Sequence, residues 1–248
     1  GARLKGDTLK LEVYRINMQN SLIIPLAADK TDYKDEIPYL FRLDSKGRMI
    51  CLAAINGLNL DEFDSIYVTI LKKHSIEYQL KELLTLQFKR LNIATKAHVI
   101  ELDNPTKSQP ETVYQTIKQN QIKGHIFIKD ADSYFETEML IENAVCIYPL
   151  DELNQVNPQN KSYVNIDDMY YITNIIEKRI LGRDFCAGGY FFEDANLFCK
   201  IFEDLKDNNP LYMSHIIYKA LLDGYNFRPN KVKKYKDWGT LKDWRENE

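Results

Sequence analysis

The 248-residue chain predicts an α/β fold whose largely parallel central sheet is flanked by helices. Two observations lead there. Short apolar runs rich in β-branched and aromatic residues, such as IYVTIL (66–71), alternate with stretches whose apolar residues recur at helical spacing. That order builds βαβ units with parallel strands. The run HIFI (125–128) then gives out at Lys129, and Asp130-Ala131-Asp132 follows. The C-terminal ends of strands are where open α/β sheets place their ligands.

Each element follows in order. SLIIPLAA (21–28) is an apolar run between polar flanks, hence a first central strand. Residues 29–36 are polar and lack an apolar period, so they form a loop. Residues 37–41 and 50–58 are apolar segments about a turn at Asp44-Ser45-Lys46-Gly47, and the second opens a helix. The strand 66–71 precedes an amphipathic helix over 77–91, with Leu80, Leu83, Leu84 and Phe88 on one face. Strand 97–102, a loop over 105–110 and a helix over 111–119 lead to the strand at 125–128. Beyond it, 145–149 is a short strand, 153–161 an Asn/Gln/Pro-rich loop, and 162–166 with 170–176 the arms of a hairpin about Asp167-Asp168. The aromatic run 185–192 contains Gly188-Gly189, a pair that marks a bulge or a close backbone approach. Helices cover 195–205 and 212–223, the latter stopped by Gly224. A basic patch at 231–235 and a last polar helix close the chain. Ahead of all this, Leu9, Leu11 and Val13 alternate with Lys10 and Glu12. The lead 1–17 is thus an extra strand or a remnant ahead of a domain running from Met18 to residue 248.

Composition sets the class. Lys plus Arg is 33 and Asp plus Glu is 36, a formal net charge of −3, which argues against non-specific nucleic-acid binding. No apolar run nears the ~20 residues that span a bilayer. Cys51, Cys146, Cys186 and Cys199 lack C-x-x-C spacing, and three of them lie in apolar or aromatic surroundings and read as small core residues of a protein in the reducing cytoplasm.

Two carboxylates one residue apart where a strand ends suit a hard divalent cation. Mg²⁺ takes one or two carboxylates, several waters and substrate phosphate oxygens, not a closed protein cage. Asp is equally a common turn residue, so the spacing alone leaves both readings open. No His/Cys cluster supports zinc. His98 and His125 read as core or edge residues and His74 as part of a surface turn. Lys231, Lys233, Lys234 and Lys236 read as a solvated face, with a phosphate contact as the other reading. Trp238 and Trp244 read as packing for the final helix.

Five stretches, in order from about residue 21 to residue 244, resemble the sugar-nucleotide pyrophosphorylases. They are SLIIPLAA (21–28), LDNPTKSQPETVYQTI (102–117), IFIKDADSYF (126–135), SYVNIDDMYYITNIIEKRI with CAGGYFF (162–192), and DWGTLKDW (237–244). That nucleotidyltransferase family, with members in capsule and surface-polysaccharide pathways, has a single GT-A-like (Rossmann-like) domain with a mixed, mostly parallel central sheet flanked by helices. The resemblance implies a reaction of a nucleoside triphosphate with a sugar 1-phosphate, giving an NDP-sugar and pyrophosphate with Mg²⁺ as cofactor. It aligns Asp132 and Asp237 with the metal ligands, with Asp130 as second choice. Leu26, Ala27, Ala28, Gln109, Glu111, Thr112 and Asp130 fall where the nucleotide is bound. Glu177 and Lys178 match the pair that meets the sugar hydroxyls and phosphate, and Gly188 matches a glycine whose N–H approaches the sugar. Asp132, Asp237 and Lys178 are then the catalytic set. The partners implied are nucleotide and sugar phosphate, with no nucleic acid, no membrane span, and a homo-oligomer compatible with the habit of relatives.

One stretch departs from the family's pattern. Its glycine-rich basic loop is here AADKTDYKDEIPYLF (27–41), with no glycine and with Asp29, Asp32, Asp35 and Glu36. Only Lys30 and Lys34 there can reach a phosphate, and Ile37 stands before Pro38 where a Lys is expected. Two alternatives therefore stand beside catalysis. One is a GT-A relative that binds a nucleotide or sugar nucleotide, as a glycosyltransferase or regulatory protein. The other is a partner-binding scaffold with Tyr33 and Tyr39 as interface.

Overall fold

The computed structural model describes residues 18–28, 37–152 and 158–248. The lead 1–17, the acidic loop 29–36 with Tyr33, and residues 153–157 lie outside the described residues.

Within them the chain forms the expected α/β domain. The strands of the main sheet are β1 (Asn20–Leu26), β2 (Ser65–Leu71), β3 (Ala97–Leu102), β4 (His125–Lys129), β6 (Ala144–Pro149), β9 (Asp184–Phe192) and β10 (Arg228–Lys231), in the order β10-β6-β9-β4-β1-β2-β3. β1 pairs in parallel with β2 and β4, β2 with β3, and β6 with β10. β9 is antiparallel to both neighbours, so it alone runs against the other six. The hairpin β7 (Ser162–Ile166) and β8 (Ile172–Glu177) joins through β7 to β9. A separate antiparallel ribbon pairs β5 (Ser133–Glu136) with β11 (Lys233–Asp237).

Alternation along the strands divides the core into two layers, because successive side chains point to opposite faces. Leu22, Ile24 and Phe127 belong to one buried cluster, and Ile23, Ile126 and Ile128 to the other. Helices cover both faces: α1 (Ile50–Ala53), α2 (Lys72–Tyr78) and α3 (Leu80–Arg90) lie in the first half, and α4 (Gln109–Asn120) bridges to the second. α5 (Ala195–Leu205) and α6 (Met213–Leu222) follow, and α7 (Leu241–Asn247) comes last. Ser108 caps α4 by accepting from the Glu111 amide at 3.2 Å, with Pro110 in the first turn. Thr116 Oγ1 on α4 lies 2.6 Å from Thr69 Oγ1 on β2, a buried polar tie between helix and sheet.

Three sequence readings change here. The helix expected over 77–91 is two helices, broken where Gln79 takes φ +54°. β5, β10 and β11 are strands where the sequence predicts none, the end of β10 and most of β11 falling in the basic patch 231–235. Their sequences, SYFE, RPNK and KKYKD, carry little apolar alternation. Tyr39 is half-buried and donates from Oη to the Trp238 carbonyl at 2.6 Å, so it is not a free interface aromatic. Trp238 is buried, as expected, with Nε1 donating to the Asn247 carbonyl of α7 at 3.1 Å.

Candidate functional site

The C-terminal ends of β1 and β4 open into a cleft, where such a sheet places its ligands. A recess of about 120 Å³ is lined by Pro25, Leu26, Ala28, Leu40, Phe41, His74 and Gln109, with Asp130, Ala131 and Asp132 at its mouth. It shares Gln109, Asp130 and Asp132 with a polar chamber of about 360 Å³. The chamber is walled by Ser133, Lys161, Ser162, Glu177, Gly188, Tyr190, Tyr212, Ser214, Tyr235 and Asp237, among others. Together these fall in the roughly 300–1,000 Å³ range of small-ligand sites.

The β5–β11 ribbon decides the centre. Asp237 pairs with Ser133 across it, and the Trp238 amide donates to the Asp132 carbonyl at 2.9 Å. Asp132 and Asp237, far apart in the chain, are thereby neighbours lining one chamber. Asp132 is half-buried, and no hydrogen bond or ion pair among the described residues engages its carboxylate. Asp130 is held from two sides: its amide donates to the Gly188 carbonyl at 2.8 Å, and Gln109 Nε2 donates to its Oδ1. Beneath the turn lies Lys129, fully buried, with Nζ donating to the carbonyls of Asp130 and Ser133, each at 2.6 Å. Burial pushes this ammonium down to about 8, against the pull of Asp130 and Asp132.

Gly188 sits where the sequence pair predicted a close approach. Its φ is +96°, and a Cβ there would stand 2.8 Å from Ser133 Oγ and 2.9 Å from Asp130 Oδ2. Glu177 faces the chamber with Oε2 accepting from Ser162 Oγ and, at 2.8 Å, from Ser214 Oγ. Lys178 takes φ +53° and is exposed, its Nζ 5.1 Å from the centre of the Tyr212 ring. It stands at the rim, outside the residues lining the chamber. Leu26, Ala28 and Gln109 line the recess as expected. Ala27 is buried behind it. Glu111 and Thr112 do not line it: Glu111 Oε2 accepts from the Lys107 amide at 2.6 Å, and the buried Thr112 hydroxyl lies 2.6 Å from that of Thr106.

Sequence reasoning missed Leu40, Phe41, His74 and Lys161. His74 lies in α2, not in a surface turn, with its ring 6.4 Å from that of Phe41. The sequence places Lys161 at the end of the loop 153–161, and the hairpin register carries the clue to its position. Ser162 pairs with Glu177, and the Lys178 amide donates to the Lys161 carbonyl at 3.0 Å, so Lys161 faces the Glu-Lys pair across the hairpin mouth. Its Nζ lies 2.8 Å from Asp237 Oδ2 and 3.0 Å from Tyr235 Oη. Burial pushes this ammonium down, but Tyr235 and Asp237 beside it push it up by more, and it ends above the usual lysine range. Of the basic run, Lys231, Lys233 and Lys234 are exposed, Lys231 and Lys234 meeting Glu152 and Glu136 at 3.7 and 3.2 Å, while Lys236 is half-buried with Nζ 5.6 Å from the centre of the Tyr134 ring.

The fold aligns with solved structures over nearly its whole length. A nucleoside-diphosphate-sugar pyrophosphorylase from Vibrio cholerae RC9 superposes with a TM-score of 0.73 at 13% identity, covering 91% of this chain and 98% of that one. The fold is shared. An inositol-1-phosphate CTP transferase from T. maritima gives 0.68 at 14% identity, with 91% of each chain covered. A CTP:phosphocholine cytidylyltransferase from Streptococcus pneumoniae gives 0.64 at 13%, covering 92% of this chain and 97% of the other. No family model and no curated protein sequence matches the chain. The single α/β domain with a mixed, mostly parallel central sheet flanked by helices, read from the sequence, is thus the class observed. Among the described residues no helix is long and apolar enough to cross a membrane.

Proposed function

We propose that the chain is a nucleotidyltransferase that joins a nucleoside triphosphate to a sugar 1-phosphate, or a similar phosphorylated small molecule, releasing pyrophosphate. The observation that carries the reading is the meeting of Asp132 and Asp237 in one cleft beside Asp130, at the C-terminal end of a central strand. The names of the three structural neighbours, a pyrophosphorylase, a CTP transferase and a cytidylyltransferase, support the same reaction class.

The donors fit Mg²⁺. They are hard carboxylate oxygens in a polar chamber, and no hydrogen bond or ion pair from a described residue occupies the Asp132 carboxylate. Two carboxylates would leave such an ion room for waters and substrate oxygens as its other ligands. Asp132 and Asp237 would hold it, and when bound it supplies charge neutralisation and alignment at the α-phosphate. A phosphate oxygen of the acceptor forms a bond to the α-phosphorus, the bond from that phosphorus to the pyrophosphate oxygen breaks, and pyrophosphate leaves with the electron pair. The protein's part is positioning. Leu26, Ala28, Phe41 and Gln109 receive the nucleoside. Glu177, fixed by two serine hydroxyls, accepts from sugar hydroxyls. Gly188 keeps the wall thin at the sugar, and Lys178 meets phosphate from the rim. Four buried free cysteines agree with a reducing cytoplasm, and the role we assign is in surface-polysaccharide biosynthesis.

The test is incubation with each nucleoside triphosphate, Mg²⁺ and a panel of sugar 1-phosphates, with pyrophosphate as the readout. Release from one pairing, abolished by Asp132→Asn, is the expected result; no release from any pairing overturns the reading. The glycine-free acidic loop 27–41 favours a second one, a GT-A relative that binds a nucleotide or sugar nucleotide without this turnover. Calorimetric binding of a UDP-sugar but of no triphosphate would select it.

A further inference from the structure

The chamber is rich in acid, with Asp130, Asp132, Glu177, Asp237 and Asp243 on its walls. A phosphate ester entering it meets a negative field. Among the described residues that line it, Lys161 is the one lysine or arginine. Its side chain is 15% exposed and that of Asp237 is 14%, so the pair is largely shielded from solvent. Asp237 Oδ1 is already engaged by the Gly239 amide at 2.9 Å, and Lys161 covers Oδ2. Tyr235 Oη holds the ammonium from the other side, and the Phe185 ring lies 5.8 Å from it. The ammonium therefore stands on the oxygen that a cation at Asp237 needs.

We propose that Lys161 is a tethered competitor for the metal position at Asp237 and the phosphate contact of the acceptor, one charge alternating between two partners. Paired with Asp237 at 2.8 Å, it neutralises that carboxylate. When a divalent cation takes that carboxylate, the two positive charges repel, and the ammonium turns to the phosphate. Lys161 directly precedes β7 and its carbonyl accepts from the Lys178 amide at 3.0 Å, so the backbone stays in place and the exchange is one of the side chain alone. Cation and phosphate then bind cooperatively, because each removes Lys161 from the state that opposes the other, and such coupling is reciprocal. The inference rests on the cleft binding a divalent cation.

The experiment titrates Mn²⁺ alone into wild-type protein, Lys161→Met and Lys161→Gln, followed by electron paramagnetic resonance. Methyl phosphate is then titrated into the Mn²⁺-loaded proteins by calorimetry. The neutral variants should bind Mn²⁺ about tenfold more tightly and methyl phosphate at least tenfold more weakly than wild type, changes of roughly 1.4 kcal/mol in opposite directions. The Mn²⁺ gain should vanish in an Asp237→Asn background, where no carboxylate is released. Lys161→Gln keeps a donor to Asp237, so it stands in if the Met variant does not fold. Equal Mn²⁺ affinity in a folded variant and wild type, or unchanged methyl phosphate affinity, overturns the role of Lys161 while leaving the metal reading intact. Absence of Mn²⁺ binding in every protein overturns both.

Discussion

Gly188→Ala probes the centre of the cleft most directly. Two contributions can be worked from the structure. The backbone at φ +96° disfavours any L side chain, at about 1–2 kcal/mol. The new Cβ would also lie 2.8 Å from Ser133 Oγ, 2.9 Å from Asp130 Oδ2 and 3.0 Å from Asp130 Cβ. The last contact is next to backbone that the Gly188 carbonyl itself holds, so relief requires the Asp130 turn to shift, which adds roughly 1–2 kcal/mol of overpacking. The sum, about 2–4 kcal/mol, lowers the melting temperature by roughly 5–15 °C in a domain of this size. Gly224→Ala isolates the first contribution: φ is +88°, and nothing lies within 4 Å of its Cβ. Calorimetric scans of the two variants should therefore differ by the steric part alone, and Mn²⁺ affinity should fall in Gly188→Ala but not in Gly224→Ala. Equal destabilisation of both, with Mn²⁺ binding untouched in each, would refute the claim that Gly188 makes room for the acidic turn.

Other expectations follow from single interactions. Asp44 accepts from the amides of Lys46 and Arg48 at 2.9 and 2.8 Å and from Arg48 Nε at 2.8 Å, so Asp44→Ala should destabilise by about 2–3 kcal/mol at pH 7. Burial pushes that carboxyl up, but these bonds bring it below its ordinary 3.8. The stabilisation is therefore full above pH ~4 and lost as pH falls through the folded value, so the gap between variant and wild type in urea titrations should close in acid. Burial pushes Cys51 and Cys146 up to about 12 and Cys199 to about 11, so an aromatic disulfide reagent at pH 8 should label the native thiols slowly and all four rapidly in denaturant. Thr116→Val should destabilise by about 1 kcal/mol or more, because it strands the buried Thr69 hydroxyl, and Thr69→Val by less, because the Thr116 hydroxyl keeps its bond to the Thr112 carbonyl at 2.7 Å; the double variant should cost less than the sum of the two.

The apolar patterns determined most of the fold. β1, β2, β3 and β4 and helices α4, α5 and α6 lie within a few residues of where periodicity puts them, because each must bury a continuous apolar stripe. β5, β10 and β11 escaped, since short polar strands are stabilised by their partners' hydrogen bonds more than by their own burial. Of the residues that line the cleft, the two-Asp turn and the glycine pair were legible in the chain itself, and Gln109 and Glu177 only through the likeness to a family. That Asp237 comes beside Asp132, that Lys161 turns into the chamber while Lys178 stays at its rim, and that Thr112 faces the core were decided by tertiary structure alone. The physical reason is that these facts depend on strand pairing between distant segments, which fixes the side each residue faces, and a linear order of residues carries no such register.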